Sequence, residues 1–301
     1  MEVQESTQYT RRPPGYRLPD ATHVGRVRLA VSNLERSVAF YSEIIGLAVL
    51  KQSASSRLVQ LGAHGSQHVL LELEELPGVK PIGKRTRLGL YHTAFLLPSR
   101  EALSSFVQHL GKHTVAFGSA DHEVSEALYL TDPDGLSVEV YADRPRSAWL
   151  IEHGQIQGGV EPLRFHELPD VSPDSWHGAP AGTTVGHVHF FVGDLRKSAE
   201  FYHAGLGLDH AVWPVPSAMF LSAGGYHHHV GTNIWAAGSP LASAEDARLL
   251  FWELALPDAA EIARVAASMT AAGFAETQTA TGARAFTDPW GIPVALVVAA
   301  G

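Results

Sequence analysis

Cysteine is absent from this chain of 301 residues, which excludes disulfides, thiolate metal ligands and a catalytic thiol. Basic residues are also scarce: 22 Lys and Arg stand against 31 Asp and Glu, a formal net charge of −9 with histidine neutral. No Lys/Arg cluster is long enough to track phosphates, so neither nucleic acid nor an anionic membrane is an expected partner. No apolar stretch approaches the roughly 18 residues of a membrane-spanning helix, and residues 1–20 (MEVQESTQYTRRPPGYRLPD) hold no apolar signal-peptide core. The expectation is a cytoplasmic globular protein, compatible with a homo-oligomer and long enough for two domains. What the chain has in plenty is histidine, 17 in all. Without cysteine, imidazole becomes the transition-metal ligand to look for.

The chain also repeats itself. Residues 25–41 read GRVRLAVSNLERSVAFY and residues 186–202 read GHVHFFVGDLRKSAEFY, a constant offset that pairs Val31 with Val192 and Tyr41 with Tyr202. A repeat of this length means that one structural unit has been copied. The copies diverge where Arg26 and Arg28 in one answer to His187 and His189 in the other.

Each copy opens on an alternating apolar run, a strand with one buried face. Asn33 or Asp194 then stands where a helix N-cap belongs, and Gly46 or Gly205 and Gly207 supply the stop. Short strand-like runs follow, so the unit reads β-α-β-β-β. A second level of repetition places 88–110 and 248–269 in the same pattern, each leading to an Asp-Pro hairpin at Asp132-Pro133 or Asp288-Pro289. Four modules result, at roughly 24–76, 88–143, 185–238 and 248–300. The expected fold is α+β, with four βαβββ modules forming two half-barrel-derived domains. Residues 1–21 form an N-terminal extension, 22–143 the N-terminal half, 144–184 a linker rich in Pro, Gly and polar residues, and 185–301 the C-terminal half.

Inward residues of the first and last strand of each module converge in a curved half-barrel. First-strand positions carry Arg26, His92, His187 and Phe251, and last-strand positions carry Glu72, Glu139, Asn233 and Ala295. Modules two and three therefore hold His92, Glu139 and His187. Two imidazoles and a carboxylate with open positions suit Fe(II) that binds both dioxygen and a substrate. Modules one and four hold nothing that makes a transition-metal site.

These modules, with the motifs GHVHFFVGDL, LYHTAFLLPSR, DHEVSEALYLTDPDGLSVEVYADRPR and SAGGYHHHVGTNIW, resemble the vicinal oxygen chelate superfamily of glyoxalases, bleomycin-resistance proteins and extradiol dioxygenases. Within it they most resemble bacterial catechol-2,3-dioxygenases, over residues 22–300 apart from the linker. The resemblance implies His92, Glu139 and His187 as ligands of Fe(II), with Mn(II) as the other metal such donors accept, and dioxygen as co-substrate. It implies Tyr129, ten residues before Glu139, and His122 as catalytic groups. It implies an acid–base histidine within 227–229, where strand alternation allows either His227 and His229 or His228 alone to face the site. The substrate would be catechol or a substituted catechol, in a pocket for which Phe95, Phe190, Trp235 and Trp252 are candidate walls.

One departure from the resemblance stands out. Two-domain extradiol enzymes keep all three ligands in the C-terminal pair of modules, whereas that pair here offers only His187. A complete site therefore requires modules two and three to pair across the linker. Two rivals remain: a glyoxalase-like metal-dependent lyase or isomerase, for which Asn233 stands where a second carboxylate is needed, and a metal-free protein that sequesters a planar aromatic or drug.

Overall fold

The four modules lie in two mixed sheets, seen in a computed structural model that describes residues 9–52 and 57–299. In every module the first strand pairs in parallel with the last: His23–Val31 with Val69–Glu75, Gly89–Leu96 with Ser137–Asp143, Thr184–Phe191 with Val230–Asn233, and Arg248–Leu256 with Pro293–Val298. Two modules then join through their first strands. Thr184–Phe191 runs antiparallel to Gly89–Leu96, which fuses modules two and three into a nine-stranded sheet. Arg248–Leu256 runs antiparallel to His23–Val31, which fuses modules one and four into an eight-stranded sheet. Each sheet thus takes one module from each half of the sequence.

The halves are tied together in a different way. Both opening helices begin on the expected caps, Asn33 Oδ1 accepting from Arg36 N and Asp194 Oδ1 from Arg196 N, and both widen into π turns at Phe40–Ile44 and Ala199–Gly205. In each widened turn a buried tyrosine donates to the aspartate of the next module's hairpin: Tyr41 Oη to Asp132 Oδ2 at 3.1 Å, and Tyr202 Oη to Asp288 Oδ2 at 2.8 Å. Helix-to-hairpin bonds therefore couple modules one with two and three with four, while the sheets couple two with three and one with four. A large apolar core, including Trp252, Phe95, Phe106 and Phe190, fills the space between.

Both seams carry bulges at equivalent places. Opposite the third module's first strand, Tyr91 is an extra residue between the pairs His92↔His189 and Leu90↔Phe190, and Gly186 is extra between Val185↔Phe95 and His187↔Ala94. An extra residue bends a strand and re-aims its side chains. The described part of the N-terminal extension adds an edge strand, Thr10–Arg11, beside Asp209–Ala211, and anchors it through Tyr9 Oη to the Gly225 carbonyl and Arg17 to buried Asp209. The linker packs Trp149 and Ile156 against Tyr9, then runs past the open face of the second module, where Glu161 bridges to Asp121. Among the described residues no helix is long and apolar enough to cross a membrane.

Candidate metal centre

Pairing modules two and three brings His92, Glu139 and His187 to one point. The register sets His92 opposite His189 and His187 opposite Ala94, and Glu139 lies beside Ala94 on the neighbouring strand. His92 Nε2 stands 3.1 Å and His187 Nε2 3.2 Å from Glu139 Oε2, and the two nitrogens stand 3.2 Å apart. These near-equal separations would let one divalent ion touch all three donors at ordinary bond lengths of about 2 Å.

The donor set fits a dication in its electrostatics as well. All three side chains are 2–3% exposed. Burial holds His92 and His187 well below the ordinary imidazole range, which keeps them neutral, and burial pushes the Glu139 carboxyl up to about 7. Neutral imidazoles are the ligating form, whereas a lone buried carboxylate lacks a counter-charge. If both nitrogens donated to an ionised Oε2, their protons would crowd each other across the 3.2 Å separation, a conflict that a shared cation removes.

Tyr129 is the direct cross-strand neighbour of Glu139, which is the structural meaning of their ten-residue separation across the hairpin. Its buried hydroxyl faces Glu139 and meets His122 Nε2 at 2.7 Å. His122 Nδ1 meets the Gly159 carbonyl of the linker at 2.7 Å, and a carbonyl can only accept, so Nδ1 carries a proton and Nε2 is turned to the Tyr129 hydroxyl. The linker approaches closely there: a Cβ on Gly158 would come within 2.6 Å of the His122 carbonyl oxygen and 2.8 Å of Trp213.

The expectation for the histidine triplet needs correction. Residues 227–229 precede the strand Val230–Asn233 and are irregular, so alternation does not apply, and adjacent His227 and His228 both line the cavity. His229 turns away, accepting from Ala223 N at Nδ1 and packing on Tyr226. His227 Nε2 donates to Asp143 Oδ1 at 2.9 Å, its Nδ1 lies 2.8 Å from His228 Nδ1, and the His228 ring packs tilted against that of His187, centroids 4.1 Å apart. With Asp143 fixing the first proton, His228 Nδ1 donates to His227 and its Nε2 lone pair is left free.

The cavity beside the triad has a volume of about 540 Å³. Of the candidate walls only Trp235 lines it; Phe95 and Phe190 project into the core, on the opposite faces of their strands from His92 and His189, and Trp252 belongs to the other sheet. The aromatic walls are instead Tyr91, re-aimed by its bulge, with Tyr129, Trp213 and Phe220. His189 also faces the cavity; Asn233 Oδ1 accepts from Trp235 N, which fixes the amide so that Nδ2 donates to His189 Nε2 at 2.9 Å.

At the equivalent place on the other seam, Arg26 binds Glu72 and Glu253 at 3.0 and 2.7 Å, Arg28 binds Glu72 at 2.6 Å, and Phe251 lies beneath Arg28. The Arg28–Glu72 pair occupies the repeat position of His189–Asn233. One seam is built around a three-donor group and the other around ion pairs.

Comparison with known proteins agrees with this architecture. The model of the Glyoxalase/Bleomycin resistance protein/Dioxygenase superfamily matches residues 23–140 and 184–296. A protein of Bacillus subtilis (strain 168) named catechol-2,3-dioxygenase is 40% identical over 262 residues, 86% of this chain and 91% of the relative. Among solved structures, a candidate dioxygenase of Bacillus subtilis subsp. subtilis str. 168 superposes with a TM-score of 0.64 at 14% identity, covering 93% of this chain and 86% of that one. Glyoxalase I from Zea mays superposes with a TM-score of 0.57 at 18% identity, covering 92% of each chain. At such identities the structural likeness speaks for the fold alone.

Proposed function

The chain belongs to the Glyoxalase/Bleomycin resistance protein/Dioxygenase superfamily, and from that premise we propose that it is an Fe(II)-dependent extradiol dioxygenase that opens the ring of a catechol. The observation that carries the reading is the buried His92–Glu139–His187 group, open on one side to an aromatic-walled cavity. The 40% identity to a protein named catechol-2,3-dioxygenase supports it. When bound, Fe(II) would supply a site for the two vicinal oxygens of the diol and for dioxygen.

The chain's own groups handle protons and water. A catechol loses protons as it binds, and Tyr129 Oη and His122 Nε2, 2.7 Å apart, form a pair through which one proton leaves. The Gly159 carbonyl keeps His122 Nε2 turned inward. Across the cavity the chain Asp143–His227–His228 presents a second imidazole, able to give and take a proton at Nε2. Trp213, Phe220, Tyr91 and Val124 keep bulk water from the ring. A glyoxalase-like lyase or isomerase is the weaker reading, because the Asn233 amide is committed to His189 and to Trp235 N, and the donor group has three members.

Oxygen consumption separates these readings. Protein loaded with Fe(II) without air and then given catechol in aerated buffer should take up about one dioxygen per catechol and form a yellow ring-opened product. Catechol and its ring-substituted derivatives all left unchanged by iron-loaded and by manganese-loaded protein would rule the proposal out.

A further inference from the structure

Among the side chains lining the main cavity Arg85 is the one lysine or arginine, and the one carboxyl group there, Glu139, belongs to the metal group. The Arg85 guanidinium has no ion pair or hydrogen bond among the described residues; it lies over the Trp235 ring, 5.9 Å from its centroid. Two residues on, Arg87 is already spent on Asp246 at 2.8 Å. An exposed arginine fork without a partner, lying over an aromatic wall, is free to receive a carboxylate through two parallel hydrogen bonds.

The backbone is arranged to present that group. Arg85 has a φ of +56°, the left-handed region that a residue with a side chain seldom adopts. Its segment is clamped at both ends by bridges, Lys80 to Asp246 and Leu88 to Leu241, and the Arg85 carbonyl accepts from Ser239 Oγ at 3.0 Å. An unusual conformation held by several contacts is the kind found where a side chain must be aimed. Beside it, Lys84 lines an adjoining cavity of about 280 Å³ that shares Arg85, Tyr91 and Tyr129 with the main one. A protein of net charge −9 thus sets Lys84 and Arg85 side by side along these adjoining cavities.

We infer that the substrate is a catechol bearing a carboxylate remote from its two hydroxyls, and that Arg85 is the residue that selects for it. The inference rests on the catechol reading of the metal site. Arg85 and the three donors His92, Glu139 and His187 line the same cavity of about 540 Å³. One molecule in the cavity can therefore meet both the metal group and Arg85.

Protocatechuate, homoprotocatechuate and dihydrocaffeate set a carboxylate at increasing distance from the same diol. Each is compared with its methyl ester for binding to iron-loaded protein without oxygen, followed by quenching of tryptophan fluorescence. At least one acid should bind about tenfold more tightly than its ester, in keeping with a hydrogen-bonded charge pair. Arg85→Gln should bring that preference to within about twofold, and Arg85→Lys should keep part of it. Equal binding of every acid and ester by the native protein, or an undiminished preference in Arg85→Gln, would overturn the inference. Oxygen uptake is read separately: an acid bound with the predicted preference but never oxidised would overturn the dioxygenase reading and still support the Arg85 site.

Discussion

Asp132 accepts hydrogen bonds from the backbone N–H groups of Asp134 and Leu136 at one oxygen and from Tyr41 at the other, yet burial pushes its carboxyl from 3.8 up to about 7. The folded chain therefore holds a proton there that the unfolded chain releases near pH 3.8. Ionisation favours the unfolded chain as pH rises from about 4, and the stability lost to it levels off above about 7. The difference amounts to a few kcal/mol as an order of magnitude. Asp132→Asn keeps the oxygen that caps the hairpin and turns an amide toward Tyr41. Urea denaturation of chelated protein at about pH 5 and about pH 8 should show a smaller loss with rising pH in the variant than in the parent. Equal losses would mean that Asp132 is ionised in the fold. Asp288, raised to about 6, acts in the same sense, and buried His228 and His229 act in the opposite one, so the comparison between variant and parent isolates Asp132.

At the scale of strands, the site depends on bulges. Gly186 is the extra residue at the seam, and a Cβ there would strike the Tyr141 hydroxyl, which itself lies 2.7 Å from that of Tyr226. Gly186→Ala should destabilise the protein by about 1–3 kcal/mol and displace His187, its chain neighbour. Denaturation midpoints and iron content measured together would check this; a variant of native stability and full iron content would contradict it. Bulges also explain what the sequence did and did not reveal. His92, His187 and Glu139 were legible because they hold equivalent places in repeated strands. The Tyr129–Glu139 pairing was legible because the Asp132 hairpin fixes its own register. Tyr91 escaped notice because strict alternation puts it on the face opposite His92, and only the seam's register shift turns it inward. The choice between His227 with His229 and His228 alone fails because no sequence signal marks where the strand after Gly225 begins, and His227 and His228 line the cavity together. Phe95 was proposed as a wall although parity alone set it opposite His92.

For the molecule as a whole, the duplication has been rearranged in space. The halves of the sequence are not the halves of the structure, since each sheet draws one module from either side of the linker. The alternation of strand and helix revealed the four modules, but which modules share a sheet depends on pairing between first strands that all look alike. Only the complementary placement of His92, Glu139 and His187 hinted at the answer. The linker, legible simply as a connection, also supplies the carbonyl that orients His122 and three residues of the cavity wall, Gly158, Gly159 and Val160. A metal held by this group would join residues from both sides of the linker and stabilise the folded chain by about 4 kcal/mol at a thousandfold excess over its dissociation constant. Calorimetric titration of metal-free protein with Fe(II) in the absence of oxygen, repeated for His187→Ala, tests this most directly. One iron per chain in the native protein, and none retained when the single ligand beyond the linker is removed, is the predicted result. Full iron binding by His187→Ala would contradict a metal centre made between modules two and three.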